Sequence, residues 1–440
     1  MKSCNLLLAM LFLTSAGASA GMAEKVSRLQ IGGADIIANP TAIKDVVTIV
    51  GSMPAGDAFA SAENPAVPTL TGMMLDKGTT RSDKFAIAQQ LESVGAAISF
   101  GVGQQTLDIR AKCLRADLPL VLRLIVEQLR TPAFSAEEFE KVQKQLAGEL
   151  TRSLEDTGFR AGEAFSRAVF PMGHPNRPPA VGDILAAIGH TQLADLKAFH
   201  AQHYGPAHLT LAIVGDFDVK TVQTQLRKDL AGWQGGLPVQ RTTQAGPART
   251  AMTNAIDMPD KTSVSVILGQ ASGVRYRDDD AVALRMATAV LGSGFTGRLM
   301  KIVRDEEGLT YGIGAHVAND VFVDGDWRTV ASFGPELLDQ GLDSTRREIA
   351  RWWKDGVTAE ELEARKADLI GSYKVGLATT NGLAGFLLQT VQRAKPLSWL
   401  DEYPNAIKAL TLEQVNTAIR RHLDPEKMVL IVAGTLPKAD

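Results

Sequence analysis

Two patterns of apolar and polar residues alternate along the 440-residue chain. The longer segments place apolar residues at every third or fourth position, which is typical of amphipathic helices, and the clearest are Leu118–Leu129 and Leu337–Trp353. Shorter apolar runs predict strands. These runs are Val46–Val50, Ile98–Val102, Ser263–Leu268 and Tyr311–Val317. The mixture predicts an α+β fold in which helices cover a mostly antiparallel sheet.

The chain also contains an internal repeat. The segment His203–Gly215 resembles His422–Gly434, and in both a helix end is followed by a proline turn, a buried strand and a glycine. A second pair, Ser135–Glu140 and Thr358–Glu363, resembles a helix start, with a capping residue followed by acidic side chains. The two displacements, 219 and 223 positions, are nearly equal. We therefore predict two homologous halves of about 210 residues each, a usual size for a domain.

A segment rich in glycine and proline separates the two halves. It begins with Gly-Gly-Leu-Pro and ends with Gly-Pro-Ala-Arg, and it lacks an apolar pattern, as a surface linker does. We assign residues 21–234 to the first half, residues 235–249 to the linker and residues 250–440 to the second half.

The first twenty residues predict a removed signal peptide, Met1–Ala20. Lys2 supplies a charged start, Leu6–Leu13 is an apolar run, and Ala18–Ala20 offers small residues for cleavage. The run is far shorter than the roughly 20 residues that span a bilayer, so we expect export to the periplasm and no membrane insertion. After cleavage one cysteine, Cys113, remains, which excludes an internal disulfide.

The charge of the chain points to no particular partner. Its 46 basic and 49 acidic residues give a net charge of −3 and are well mixed along the sequence. There is no basic stripe for nucleic acid and no polybasic membrane anchor. We predict no nucleic-acid partner.

The stretch Pro68–Thr79 resembles the zinc-binding helix of the insulinase (inverzincin) peptidases. In active members this helix carries His-x-x-Glu-His before an ending like Lys-Gly-Thr; the histidines bind zinc and the glutamate activates water. Aligning that ending places Thr69 and Met73 at the histidine positions and Gly72 at the glutamate. The family's third ligand, a glutamate, corresponds to Glu149. A hydroxyl, a thioether and one carboxylate do not make a zinc site, so we predict no metal and no cofactor in this chain.

Two other features could be mistaken for binding sites. His200 and His203 have helical spacing suitable for two metal ligands, and His208 is close by, but no cysteine or acidic residue accompanies them. We interpret them as mostly structural, because His203 is mirrored in the repeat at a helix end. The turn Gly292–Gly297 lacks the Gly-Lys-Ser/Thr ending of a phosphate loop, so we exclude nucleotide binding.

The segment that begins at this turn resembles the C-terminal signature of the same family. A glycine-rich turn is followed by a helix predicted over residues 296–307, a stop at Gly308, and an Arg and a Tyr seven residues apart, Arg304 and Tyr311. The resemblance implies that this pair faces the zinc across a substrate chamber and donates hydrogen bonds to the substrate and to the developing oxyanion. The structural alternative is an arginine at a helix C-terminus and a tyrosine packed in a strand.

The resemblance implies an insulinase-like metallopeptidase fold and a zinc-less subunit of a heteromeric peptidase, inactive alone. Its partner would be a homologous, zinc-bearing subunit, and its substrates unfolded peptides. One alternative is a scaffold or peptide-binding protein of the same fold, similar to the subunits of respiratory complexes that resemble these peptidases. Another is a peptide-capturing homodimer.

Overall fold

The computed structural model describes residues 21–236, 238–239 and 250–436. The predicted signal peptide and most of the predicted linker, residues 237 and 240–249, lie outside the described residues. Within the described ranges no helix is both long enough and apolar enough to cross a membrane.

The first half contains one mixed sheet of six strands: β1 (Ser27–Ile31), β2 (Ala34–Pro40), β3 (Val46–Met53), β4 (Ala97–Val102), β5 (Leu107–Leu114) and β6 (Thr210–Gly215). The strand order is β1-β2-β6-β3-β5-β4. Only β2 and β6 pair in parallel; the other neighbours are antiparallel. β4 therefore lies at one edge of the sheet.

The second half repeats this arrangement with five strands: β7 (Met252–Asp257), β8 (Val264–Ala271), β9 (Thr310–Ala318), β10 (Asp326–Phe333) and β11 (Val429–Gly434). Their order is β7-β11-β8-β10-β9, and again one pair, β7 and β11, is parallel. Position by position this matches β2-β6-β3-β5-β4. The shared topology confirms the prediction of two homologous α+β halves, and it places β9 at the edge that corresponds to β4.

Fourteen α-helices cover the sheets in the described residues. The first half contains α1 (Val67–Met73), α2 (Lys84–Glu92), α3 (Leu118–Arg130), α4 (Ala136–Ser153), α5 (Thr157–Val169), α6 (Val181–Ile188), α7 (Leu193–His203) and α8 (Val219–Leu230). The second half contains α9 (Ala281–Gly292), α10 (Leu338–Asp355), α11 (Ala359–Leu377), α12 (Thr380–Gln392), α13 (Trp399–Ala409) and α14 (Leu412–His422).

Local signals in the sequence account for several of these boundaries. Ser135 and Thr358 cap α4 and α11 as predicted, because each side chain accepts a hydrogen bond from a backbone N–H in the first turn. The helix predicted over residues 296–307 is shorter than expected. It is helical from residue 298 and has π-type hydrogen bonding over Met300–Glu306, and Gly308 ends it with φ +67°.

Each half supplies a helix to the sheet of the other half. Phe165 and Val169 of α5 are buried in a core with Ile267 and Ile431 of the second sheet. In the reciprocal core, α12 contributes an apolar face to the first sheet. Its residues Leu383, Ala384, Leu387 and Leu388 pack there with Ile37, Val50, Ala212 and Val214. Because both sheets depend on a helix from the opposite half, the two halves form one packed body.

A buried polar contact also joins the halves. His174 Nε2 lies 3.2 Å from Asp324 Oδ1, and the side-chain amide of Asn176 donates to the carbonyl oxygens of Asn319 and Asp324 at 2.8 and 2.9 Å. The backbone N–H of Asn176 donates to His174 Nδ1, so a neutral His174 carries its proton on Nε2, toward Asp324.

Candidate functional site

The helix that resembles the zinc motif is α1, which starts with a proline in its first turn and packs beside the edge strand β4. Thr69 in this helix donates a hydrogen bond of 2.8 Å from its hydroxyl to Asp57 Oδ1. Burial raises the pKa of Asp57 to about 6, and the bond from Thr69 opposes that rise. The hydroxyl at the first histidine position is thus engaged with a carboxyl group in the preceding loop.

Gly72 occupies the position of the water-activating glutamate. A Cβ atom placed on Gly72 would lie 2.2 Å from Val102 Cγ2 at the end of β4, far inside an ordinary carbon–carbon contact. The close approach of α1 to this strand requires the absence of a side chain. A glutamate could be accommodated here only if Val102 moved.

The remaining two motif positions lie where α1 packs against α4. Met73 packs against a small apolar core, and so do Ala147 and Leu150 of α4, two residues before and one residue after Glu149. The carboxylate of Glu149 accepts a hydrogen bond of 2.9 Å from Gln145. The fold therefore brings the two helices of the motif together, as the resemblance implies.

The side chains at these positions do not fit zinc. Catalytic zinc takes three ligands from His, Glu, Asp or Cys, and α1 and α4 offer one carboxylate beside a thioether and a hydroxyl. Across residues 21–236, 238–239 and 250–436, no group of three such side chains is placed to hold a metal ion.

The histidines near α7 are packed side chains. His200 Nε2 lies 2.7 Å from the carbonyl oxygen of Leu129, and its ring stacks on Tyr204. His203 packs against the rings of Phe59 and Phe199, with centroids 5.5 and 4.3 Å away. Burial lowers the pKa of both, to about 4 for His203, which keeps these rings neutral near pH 7.

The second candidate group lies beside β9, the corresponding edge strand of the second half. Arg304 is near the end of the π-helical segment, and its guanidinium carbon is 5.7 Å from the centre of the Tyr311 ring. The guanidinium donates to Asp305 at 2.9 Å. The structure thus brings the predicted pair into contact.

Tyr311 points into solvent because β9 is irregular at this residue. Ser332 of β10 pairs with Gly312, whereas the next residue, Phe333, pairs with Thr310, so Tyr311 is an extra residue in the ladder. A bulge of this kind redirects the side chain. Tyr311 is 90% exposed. A tyrosine packed in a strand, the structural alternative, is therefore excluded, and the phenol is accessible to a ligand.

Sequence reasoning missed one member of this group, Phe295. Its ring is 70% exposed and its centre lies 5.3 Å from the guanidinium carbon of Arg304. Arg304 is consequently placed between two exposed aromatic rings, an arrangement that orients a guanidinium through cation–π attraction. The signal in the sequence was a phenylalanine within a glycine-rich turn, where no core is available to bury it.

The turn that carries Phe295 is held in place by residues in α11 and just before it. Arg298 forms a two-pronged ion pair with Glu361, with both distances 2.6 Å, and also donates to the carbonyl oxygen of Gly356. Arg365 donates to the hydroxyl of Thr296. These bonds hold the C-terminal end of the turn next to α11.

Comparison with known proteins agrees with this architecture. Residues 191–369 match the family model described as "Peptidase M16 inactive domain". An uncharacterized zinc protease of Streptomyces coelicolor is 23% identical over 85% of this chain and 82% of its own length. A non-peptidase homolog of Helicobacter pylori is 21% identical over 87% of this chain and 88% of its own.

A solved structure extends the agreement to the whole fold. The crystal structure of a peptidase M16 inactive domain from Pseudomonas fluorescens superimposes with a TM-score of 0.86 and 25% identity. It covers 94% of this chain and 99% of that one. The chain accordingly has the fold of the insulinase (M16) peptidases and resembles their inactive domains in sequence.

Proposed function

We propose that this chain is the zinc-less subunit of a heteromeric peptidase, in which it binds peptide and stabilises the transition state while a homologous subunit supplies zinc. The observation that carries the proposal is the contact between the half-buried Arg304 and the exposed Tyr311, beside a sheet edge that no strand of the described residues covers. The motif helix α1, in contrast, offers no metal ligands. An isolated chain of this kind cannot activate water for hydrolysis.

The chemistry of the pair suits an oxyanion. A guanidinium and a phenol are both hydrogen-bond donors, and donors aimed at a developing negative charge typically contribute about 3 kcal/mol to catalysis. Tyr311 is not committed to a core, and the rings of Phe295 and Tyr311 restrict the position of the Arg304 guanidinium. Pre-orientation lowers the entropy that is lost when a donor meets the substrate.

The edge strands supply a place for an extended peptide. Residues of β4 alternate between exposed and half-buried along its whole length, with Ala97, Ser99 and Gly101 exposed, and no strand pairs with its outer edge in the described part of the chain. An unfolded peptide can add to such an edge through main-chain hydrogen bonds, which require no particular side chain. The small exposed residues leave room for varied substrates.

The proposed setting is the periplasm. It rests on the predicted signal peptide, whose charged start, apolar run and small residues precede the first described residue. An exported peptidase subunit would meet peptides released outside the cytoplasm.

The proposal is tested by purifying the chain from its native host together with its partners and assaying cleavage of an unstructured fluorogenic peptide. We expect cleavage by the complex, its loss with a zinc chelator, and its return with added zinc. The chain purified alone should be inert and hold well below one zinc ion per molecule. Chelator-sensitive cleavage by the isolated chain, lost on Glu149→Gln, would contradict the proposal.

A second candidate is a scaffold or peptide-binding protein without any part in hydrolysis. It is favoured by the likeness to the H. pylori relative, a non-peptidase homolog that matches 87% of this chain. The two candidates differ in the expected effect of the pair on kinetics, because a scaffold has no transition state for Arg304 and Tyr311 to stabilise.

A further inference from the structure

The two halves differ at one place on the surface of the described residues. In the first half, α8 lies in a groove on α3, where its residues Val222, Leu226 and Leu230 are fully or almost fully buried in the main core. The end of α8 is held by Arg130, which donates to the carbonyl oxygens of Asp229 and Ala231. In the second half, no helix follows β11 within the described residues.

The corresponding groove in the second half is open. α10 matches α3 with a displacement of 220 positions, and most of the buried positions of the two helices coincide, as in Leu129 and Ile349. Where α8 would lie there is a cavity of about 430 Å³. Its walls are mostly apolar and come from β7, β8, α10 and the turn before β11: Met252, Leu268, Ile349, Ala350, Met428 and Leu430.

One difference between the matching positions of α3 and α10 indicates that the second groove accepts a different occupant. Val126, which is 2% exposed in the core with α8, is replaced at the matching position by Arg346, which is exposed and lines the cavity. Glu426 lines another side of the same cavity. Neither charge has an ion-pair partner in the part of the chain that the structure describes. The groove therefore combines an apolar floor with one unpaired charge of each sign at its rim.

We propose that this groove binds an amphipathic helix of a partner protein. The occupant has aliphatic residues at positions i, i+4 and i+8, as α8 does, and carries a carboxylate that pairs with Arg346 and a cationic side chain that pairs with Glu426. α8 shows that a groove of this backbone geometry accepts a helix with that stripe, and helix-in-groove contacts are a common recognition mode. The inference is independent of the proposed catalytic role.

The experiment uses the full chain and a fluorescein-labelled peptide with the sequence of residues 218–233. We expect saturable binding by fluorescence anisotropy, with a Kd of about 1 to 100 µM. Ala350→Trp, which fills the cavity, should abolish it. Arg351→Trp, one position further along α10 and outside the lining, is the matched control and should leave binding and melting temperature unchanged.

Charge reversal tests whether the charged residues at the rim of the groove contribute to binding. Two peptide variants carry Glu or Lys at both Gln223 and Gln225, on either side of the apolar stripe. The wild-type groove has one charge of each sign at its rim, so it should bind the two variants about equally. Arg346→Glu leaves two carboxylates there and should bind the lysine variant about 2- to 5-fold more tightly than the glutamate variant, the range of an exposed ion pair. Absence of saturable binding up to about 1 mM, equal binding by the Ala350→Trp protein, or equal binding of the two peptide variants by Arg346→Glu would each overturn the proposal.

Discussion

The packing of α1 against β4 can be tested with one added methyl group, in Gly72→Ala. Alanine in the middle of a helix normally stabilises a protein by about 0.5–1 kcal/mol relative to glycine. At this position the new Cβ would lie 2.2 Å from Val102 Cγ2 and 3.4 Å from Leu107 Cδ1. Valine has a stiff χ1, so it cannot turn aside freely. Overpacking of this kind costs about 1–3 kcal/mol.

The expected result is a loss of up to about 2 kcal/mol in the free energy of unfolding, because the steric cost exceeds the gain in helix propensity. Gly371→Ala in α11 is the matched control, since a Cβ there meets no atom within 4 Å. The control should stabilise the protein by about 0.5–1 kcal/mol. Urea denaturation followed by circular dichroism gives both values under identical conditions.

A double-mutant cycle identifies the clashing atom. Val102→Ala removes Cγ2, and in that background Gly72→Ala should become stabilising, as it is at the control position. If Gly72→Ala stabilises the wild-type protein as much as Gly371→Ala does, or if the effects of Gly72→Ala and Val102→Ala are additive, the close approach of α1 to β4 is refuted.

Three further outcomes follow from the fold and the site. Leu387→Ala should lower the free energy of unfolding by about 2–5 kcal/mol, although Leu387 belongs to the second half, because its side chain is fully buried against the first sheet. Asp57 has a pKa of about 6, above its ordinary value, so folding disfavours its charge. The wild-type protein should therefore lose stability relative to Asp57→Asn as pH rises from 4 to 6. Below pH 4 the two proteins should have equal melting temperatures, and this value is the reference. Arg304→Ala and Tyr311→Phe should each lower kcat/KM of the assembled peptidase about 10- to 1,000-fold with unchanged melting temperature, and near wild-type kinetics would favour the scaffold.

Local patterns in the sequence predicted several of the elements but not their exchange between halves. The apolar periodicity of α3 and α10 and the capping residues of α4 and α11 depend on neighbours in sequence, so they could be read directly. The packing of α5 and α12 against the sheets of the opposite halves depends on contacts between residues far apart in sequence. An amphipathic helix indicates that it has a buried face, but not which sheet covers that face.

The alternation of a regular strand would place the side chain of Tyr311, the most exposed residue of the site, on the buried face of the sheet. In the run Tyr311–Val317, alternation puts Tyr311 on the same face as Ile313 and Ala315, both of which are buried. The bulge opposite Ser332 and Phe333 shifts the register by one residue and turns the tyrosine outward. Bulges have no dependable signature in a single sequence, so the pair could be proposed from the motif, whereas its exposure could be learned only from the structure.

The same steric detail bears on whether substitutions on α1 could build the family's zinc motif in this chain. Restoring the family's motif on α1 would require Thr69→His, Gly72→Glu and Met73→His, yet the glutamate cannot enter beside β4 while Val102 keeps its position. The change at Thr69 would also remove the hydrogen bond to Asp57, leaving a partly buried carboxyl without it. Three substitutions that restore the ligand set are therefore insufficient to restore the geometry. The packing around α1 therefore opposes a zinc site as strongly as the missing ligands do, and the side chains of this chain that remain available to a peptide are Arg304 and Tyr311 at the second sheet edge.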